Sequence, residues 1–272
     1  MSPLTEYAGN RRRPRRGFTL TELLVTTTLV GLVLAGALPF LITNLKILFV
    51  GEQKLLINSD IRTYTSDLVE NARESNYFVL YQSFHAWTRA DGRTVTRDAS
   101  GNGTVNANDR RQSGEQGDFL VFVYYNDPYY DSRFYDNIAG NEPVITGLEV
   151  SRVVAYWHAP NNRLAGENTV YSFDTDDYKG AGATWNTPWG ITLPATLDSA
   201  VTIESLLPPA TSAWATDSRF KLLVKDVGGL TADGYQYENF QNRSILVRLR
   251  ILHGNQAKRV TNTYNFTITP RG

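Results

Sequence analysis

The distribution of apolar residues divides the chain into three parts: a polar start, a long apolar run and a region of alternating apolar and polar residues. No charged side chain occurs from Leu23 to Leu45. At about 1.5 Å per residue, such a run forms a helix of roughly 34 Å, which is enough to cross a hydrocarbon core of about 30 Å. The run therefore predicts a membrane-spanning helix.

After Lys46 the apolar residues recur at the three- and four-residue spacing of one helical face, at Ile57, Ile61, Tyr64, Leu68 and Ala72. Charged residues occupy most of the other positions, as in an amphipathic helix. We therefore expect one helix from Phe18 to about Ser75, whose second half packs on a domain. Pro39 removes one backbone donor from this helix, and we expect it to kink the helix or to melt one turn.

From about Asn76 the apolar period changes to two, which is typical of strands. The predicted strands are 118–125, 152–158, 169–173, 220–227, 245–251 and 260–268. In the last two, apolar residues alternate with polar ones, and His253-Gly254-Asn255 lies between them, which predicts an antiparallel pair with one solvent-exposed face. The expected fold is α+β: a long N-terminal helix, membrane-spanning in its first half and amphipathic in its second, packed on an antiparallel β-sheet domain. Residues 86–117 and 174–200 are expected to form long loops.

Charge changes the interpretation of the N-terminus. Five arginines lie between Arg11 and Arg16, directly before the apolar run. The positive-inside rule then predicts a cytoplasmic N-terminus, with the rest of the chain on the other side of the membrane. Glu22 stands where the apolar run begins, and an ionisable side chain there costs a few kcal/mol. Glu22 is therefore a candidate functional residue.

The residues Arg16-Gly17-Phe18-Thr19-Leu20-Thr21-Glu22-Leu23 resemble the N-terminal signal of type IV pilins and type II secretion pseudopilins. The resemblance implies that a prepilin peptidase cuts between Gly17 and Phe18 and that the new N-terminal Phe18 is N-methylated. It implies that Glu22 pairs with the terminal amine of a neighbouring subunit during assembly. Pro39 matches a position where these helices often carry a proline that loosens them locally.

For the whole chain the resemblance implies four segments: a leader at 1–17, the transmembrane and assembly half of the helix at 18–50, its amphipathic half at 51–76 and a globular β domain at 77–272. The stretch from Asp60 to Tyr81 is similar to J-type minor pseudopilins and W-type minor pilins. The implied function is that of a minor subunit of a type II secretion pseudopilus or a type IV pilus, with a structural, tip or initiator role. The implied partners are other pilin or pseudopilin subunits, prepilin peptidase and an assembly platform in the inner membrane. The implied location is that membrane, with the C-terminal domain in the periplasm or outside the cell.

Three alternatives stay open at this stage. An ordinary signal anchor carrying an unrelated extracytoplasmic protein would need only the arginines and the apolar run. A secreted protein could be cut after Ala37, because Ala35-Gly36-Ala37 has the form of a signal-peptidase site, and Arg15-Arg16 faintly resembles a twin-arginine signal. A minor pilin for DNA uptake would need a basic patch, which we do not expect in the sheet region.

Composition and motifs argue against nucleic-acid binding and against enzymatic activity. The chain has 27 Lys+Arg against 27 Asp+Glu and no Cys. Removal of residues 1–17 takes five Arg and one Glu, so the mature chain would carry a net charge of about −4. This balance argues against nucleic acid as a partner. The absence of cysteine excludes a disulfide framework and a Cys nucleophile. Common catalytic motifs are missing and the three histidines are far apart, so we expect no enzyme.

One loop has the spacing of a calcium-binding loop. Between Asp98 and Asp109, oxygen-bearing side chains fall at positions 1, 3, 5, 9 and 12 of an EF-hand-type pattern, with Gly103 at position 6. The candidate calcium ligands are Asp98, Ser100, Asn102, Thr104 and Asp109. With few carboxylates, such a loop would bind Ca²⁺ weakly, with a Kd of about 10⁻⁴ M or poorer. The alternative is a Gly/Asn-rich surface loop that matches the pattern by chance.

Overall fold

The computed structural model describes residues 18–84, 87–88, 94–95, 109–126, 148–160, 168–178, 185–186, 192–198, 200–207, 221–225, 227–229, 235–253 and 260–270. The chain divides into two compact units, residues 1–51 and 52–272. Helix α1 spans Leu20–Glu74. The helix is unbroken at Pro39, so the turn around this proline is not melted. The five residues predicted to form its apolar face, Ile57, Ile61, Tyr64, Leu68 and Ala72, are all buried.

The rest of the described fold consists of strands and two short 3-10 helices, at Thr175–Tyr178 and Glu204–Leu206. In chain order the strands are β1 Tyr77–Tyr81, β2 Trp87–Thr88, β3 Thr94–Val95, β4 Gln116–Gly117, β5 Phe119–Tyr125, β6 Glu149–Pro160, β7 Asn168–Asp174, β8 Trp185–Asn186, β9 Thr192–Leu193, β10 Ala195–Thr196, β11 Lys221–Lys225, β12 Val227–Gly229, β13 Tyr237–Phe240, β14 Ser244–His253 and β15 Val260–Ile268. Every pairing between them is antiparallel. The predicted α+β class is therefore confirmed.

The first sheet has the order β1-β5-β6-β7-β11, with β10 on the end of β6. Its central strands are buried on both faces, which explains why β5 is apolar throughout. One face forms a loop-side core, which includes Tyr81, Phe119, Trp157 and Phe173 and is covered by residues 193–207. The other face forms a helix-side core, which includes Phe122 and Tyr156 together with Ile57, Tyr64 and Leu68 of α1. The amphipathic half of α1 thus packs on a sheet, as its periodicity predicted.

The structure has a second large sheet, which was not predicted as separate from the first. Its central strand is β14, which pairs with β13 near its start and with β12 further along. Strand β4 pairs with β13, and β15 pairs with β14 along nearly its whole length. Its inward side chains Ile245, Val247, Leu249 and Ile268 join the helix-side core. Its outward positions on β15, among them Asn265 and Thr267, are exposed. The predicted antiparallel pair with one solvent-exposed face is therefore confirmed. The stretch 220–227, predicted as one strand, contributes to two: β11 in the first sheet and β12 in the second.

Candidate functional site

The helix start is built as a reciprocal cap around Glu22. The backbone N–H and the hydroxyl of Thr19 each donate to Oε2 of Glu22 at 3.0 Å. In return, the backbone N–H of Glu22 donates to Oγ1 of Thr19 at 3.3 Å. This arrangement is a capping box, in which a threonine and a glutamate three residues later satisfy backbone donors of the first helical turn. This role of Thr19 was not predicted, although the Thr-x-x-Glu spacing is its sequence signal.

The cap brings the carboxylate close to the predicted cleavage junction. Glu22 contacts the backbone N–H of Thr19, the residue that follows Phe18. The Phe18 side chain is 84% exposed, whereas Gly17 lies outside the described residues. Within the part of the chain that the structure describes, Oε2 accepts the bonds from Thr19 and Oε1 accepts none. One carboxylate oxygen is therefore available to a further donor.

The apolar run after Glu22 has the properties of a lipid-facing helix. Its large side chains are exposed in the isolated chain, with Leu32 at 74% and Phe40 at 70%. The hydroxyls of Thr26, Thr27 and Thr28 donate to carbonyls one turn earlier, so these polar groups need no water. Among the described residues, α1 is the one helix long and apolar enough to cross a membrane. Pro39, which was predicted as a site residue together with Gly17, Phe18 and Glu22, lies within this run. The hydroxyl of Thr43 donates to the Pro39 carbonyl at 2.8 Å.

The predicted calcium loop falls almost entirely outside the described residues. Asp98, Ser100, Asn102 and Thr104 are not described, and only Asp109 is. No group of three or more metal-ligating His, Asp or Glu side chains occurs among the residues that are described. Calcium binding therefore stays a prediction.

Of the three histidines, only His158 has a described side chain. His158 is buried in β6, with Nδ1 4.0 Å from Oδ2 of Asp118. Asp118 also accepts a hydrogen bond from the backbone N–H of Gln236, the residue before β13. His85 and the side chain of His253 lie outside the described residues. The pair His158–Asp118 thus lies in the interior of the domain, away from solvent.

A second carboxylate lies in an apolar setting inside the sheet domain. Glu204 is buried in the loop-side core, where its Oε1 accepts from Arg110 Nε at 2.7 Å and from the Tyr81 hydroxyl at 2.8 Å. Burial raises the pKa of Glu204, but the hydrogen bond and charge of Arg110 outweigh burial, so the pKa lies below the usual 4.5. Sequence reasoning could not find this cluster, because its members lie far apart in the chain and match no motif.

The comparison with known families concerns the helix start. Residues 12–38 match the family described as "Prokaryotic N-terminal methylation motif". No curated protein and no solved structure was found to match the chain. The motif indicates a type IV pilin-like or pseudopilin-like protein that is processed at its N-terminus, which is a structural rather than an enzymatic class. The apolar N-terminal helix fits a membrane-anchored protein of this class.

Proposed function

We propose that this chain is the precursor of a minor pilin or pseudopilin subunit. Prepilin peptidase cuts it between Gly17 and Phe18, the new N-terminus is methylated, and the mature subunit assembles into a type II secretion pseudopilus or a type IV pilus. The match of residues 12–38 to the methylation motif carries this proposal. The large sheet domain carried by a single helix favours a minor subunit, with a tip or initiator role in protein export, over a major one.

The chemistry of Glu22 supports an assembly role. A carboxylate at the start of a membrane helix needs a cation, and the Thr19 cap supplies only neutral donors. Processing creates a cationic amine at Phe18. In the proposed mechanism, the amine of one subunit pairs with the Glu22 carboxylate of another, and Thr19 holds that carboxylate in place. Oε1 is the oxygen that the cap leaves for this pairing.

The proposed topology follows from the same segment. The arginines before Gly17 keep the leader in the cytoplasm, where the peptidase and the assembly platform of the inner membrane act on the subunit. The helix from residue 18 to about 50 stores the subunit in the membrane. Residues 51–76 and the sheet domain, from residue 77 on, lie on the other side, where the domain meets neighbouring subunits or cargo. We propose no enzymatic activity, and calcium is proposed only for the loop 98–109.

N-terminal mass analysis of the protein purified from membranes tests the proposal. We expect a mature chain that begins at Phe18 and carries one extra methyl group. The same chain produced in a strain without prepilin peptidase is the control, and it should keep residues 1–17. An uncut chain in the presence of the peptidase would favour an ordinary signal anchor. A start at Leu38 would favour a secreted protein. Either result would overturn the proposal.

A further inference from the structure

Strand β15 is an edge strand of the second sheet. It pairs with β14 over nine residues, and no other described strand pairs with it. The backbone N–H of Arg248 donates to the Gln236 carbonyl, so the even-numbered residues of β14 bond toward β13 and the odd-numbered ones toward β15. Asn265 lies opposite Arg248, and it therefore directs its N–H and C=O away from β14, as does Thr267 two residues further along. We call the side of β15 that carries these backbone groups the outer edge.

Strand β15 lacks the features that usually protect a sheet edge. Natural edge strands are commonly short or bulged, or they carry Lys or Pro. The edge strand of the first sheet, β11, has five residues, begins with Lys221 and ends with Lys225, and its register shifts between Leu222 and Val224. By contrast, β15 has nine residues, none of which is charged, Pro or Gly, and its register with β14 is regular throughout. The chain therefore protects the edge at β11 against a further strand and does not protect the edge at β15.

The inward side chains next to the outer edge are only partly covered. Tyr264 and Phe266 pack against the helix-side core but are half-buried, whereas Val247 of β14 is fully buried. The Tyr264 hydroxyl donates to Oδ1 of Asn58 at 2.8 Å, which places this part of β15 beside α1. Leu55, one turn before Asn58 on the same flank of α1, is 70% exposed. A strand added to β15 would cover these apolar side chains with its own inward residues.

The charge around β15 is basic. Residues 235–272 contain six Lys+Arg and one Asp+Glu. The one acid, Glu238, lies 3.2 Å from Arg248, whereas Arg250 is exposed and has no ion pair with the described residues. Lys258-Arg259 directly precedes β15 in the sequence. A segment docked on β15 would lie two strand spacings, about 10 Å, from β14, which is about one Debye length. Carboxylates on such a segment would therefore be attracted.

We propose that the outer edge of β15 binds an extended segment of a different protein, which adds a strand to the second sheet and carries carboxylates on its outward side. Backbone hydrogen bonds supply the affinity, and side chains at alternate positions supply the selectivity, as in other cases of strand addition. A second copy of this chain fits less well, because its own β15 has the same basic surroundings and like charges repel. The inference goes beyond the proposed function, since it uses the sheet domain and does not depend on cleavage at Gly17.

Proline at position 265 separates docking from folding. Because the Asn265 N–H points away from β14, Asn265→Pro removes a donor of the outer edge and breaks no hydrogen bond of the sheet. Asn265→Ala is the matched control, since it changes the side chain and keeps the N–H. Thr267→Pro makes the same change at the next outward position and replaces Asn265→Pro if that variant unfolds at lower denaturant than the natural chain.

The probe is a synthetic nine-residue peptide with Val at alternate positions and Thr or Glu between them. It carries a fluorophore and is titrated with the full chain in detergent. We expect the natural chain and Asn265→Ala to bind it equally and Asn265→Pro to bind it at least tenfold more weakly. A peptide with Lys in place of Glu should bind several-fold more weakly, and Arg250→Ala should reduce that difference.

Two further peptides test whether the backbone of the probe makes the contact. In each, every second amide is N-methylated, in one along one edge of the extended peptide and in the other along the opposite edge. A strand pairs with β15 through one edge only, so one methylated peptide should lose binding and the other should keep it. Equal binding of both, or equal loss, would mean that the peptide does not add as a strand.

Hydrogen exchange of the full chain locates the contact. The bound peptide should slow the exchange of the backbone amides of Asn265 and Thr267. Slow exchange of these amides in the free chain would mean that the outer edge is already paired, and it would overturn the proposal. Equal affinities of Asn265→Pro and Asn265→Ala, or no binding below about 1 mM peptide, would also overturn it. Tighter binding of the Lys peptide would exclude an acidic partner.

Two outcomes separate this proposal from its neighbours. Self-association of the chain that Asn265→Pro abolishes would assign the outer edge to a second copy and overturn the proposal. If the peptide binds as expected while residues 1–17 stay uncut in cells that contain prepilin peptidase, strand addition at β15 stands and only the proposed function fails.

Discussion

Residues 18–51 and the unit formed by residues 52–272 differ in whether their large apolar side chains are exposed or buried. In the first, most of the large apolar residues are exposed, as with Leu29 at 58%. In the second, Leu68 of the same helix is fully buried in the helix-side core. A helix that is apolar on all sides thus does not pack on the sheet domain here, whereas a helix with one apolar face packs that face on a sheet of the same chain. The first part needs an external apolar environment, and the second does not.

The two parts also differ in how they hold a carboxylate. Glu204 lies in an apolar core, but the chain itself supplies the cation, Arg110. Glu22 begins an apolar run, and its described donors are the neutral groups of Thr19. A compensated carboxylate contributes to folding, whereas an uncompensated one is suited to receive a partner.

The largest effect is expected for Glu22→Ala. Removing one partner of a desolvated ion pair costs about 3–5 kcal/mol. Incorporation into filaments should therefore fall by about a hundredfold or more. Insertion into the membrane should be unchanged, because the substitution makes the segment more apolar. Co-sedimentation with sheared filaments measures incorporation, and carbonate extraction of membranes measures insertion.

Two variants define what Glu22 contributes. Glu52→Ala removes an exposed carboxylate elsewhere on α1 and should leave incorporation unchanged. Glu22→Gln keeps an oxygen that can accept a hydrogen bond from Thr19 but loses the charge. Its incorporation into filaments should therefore fall as much as that of Glu22→Ala. Normal incorporation of Glu22→Gln would mean that the cap, and not the ion pair, is what assembly requires.

A matched pair of leucines tests the contrast along the helix. Leu68→Ala leaves a cavity in the helix-side core and should lower the free energy of unfolding by about 2–5 kcal/mol. Leu29→Ala removes the same atoms from an exposed position and should change the free energy of unfolding by less than about 0.5 kcal/mol. Denaturant titration of the full chain in detergent, followed by tryptophan fluorescence, measures both. Trp157 is a suitable probe because it is buried in the sheet unit. Equal losses in the two variants would mean that the first half of α1 also packs on protein.

The sequence predicted the features that repeat at a fixed period. The positions from Ile57 to Ala72 follow the helical period, and all five predicted residues are buried because a long helix must bury one face on the domain. The strand pair β14–β15 follows a period of two over nearly its whole length. The α+β class follows from these two patterns alone.

Pairing between distant segments could not be predicted in the same way. Strand β13 has only four residues, and Glu238 and Asn239 at its centre have low β propensity, so its pairing with β14 could not be read from its own sequence. The division of most strands between two large sheets, and the meeting of Tyr81, Arg110 and Glu204, depend on contacts across the chain that no local pattern records. By contrast, the capping role of Thr19 was visible in the Thr-x-x-Glu spacing and was missed.

The smallest effect concerns the compensated carboxylate. Because the pKa of Glu204 is below its usual 4.5 in the folded state, the ionised form stabilises the fold. That contribution is fully present above the unfolded pKa and is lost as the pH falls through the lower folded pKa. Glu204→Gln should therefore cost about 2 kcal/mol of unfolding free energy at neutral pH. The difference from the natural chain should shrink as the pH falls below 4.5 and through the lower pKa of the folded state.

Tyr64→Phe is the control for this pH dependence. The buried hydroxyl of Tyr64 contacts the Tyr237 hydroxyl at 2.6 Å and the Gln236 amide, and burial raises its pKa, so it stays neutral across the acid range. Its loss should cost about 1 kcal/mol at every pH tested. Denaturant titrations between about pH 3 and pH 7 give both curves. A Glu204→Gln difference as flat as that of Tyr64→Phe would mean that Arg110 does not hold Glu204 in its charged form. Glu204 would then not be a carboxylate whose charge is compensated within the chain, and it would not differ from Glu22 in the way described above.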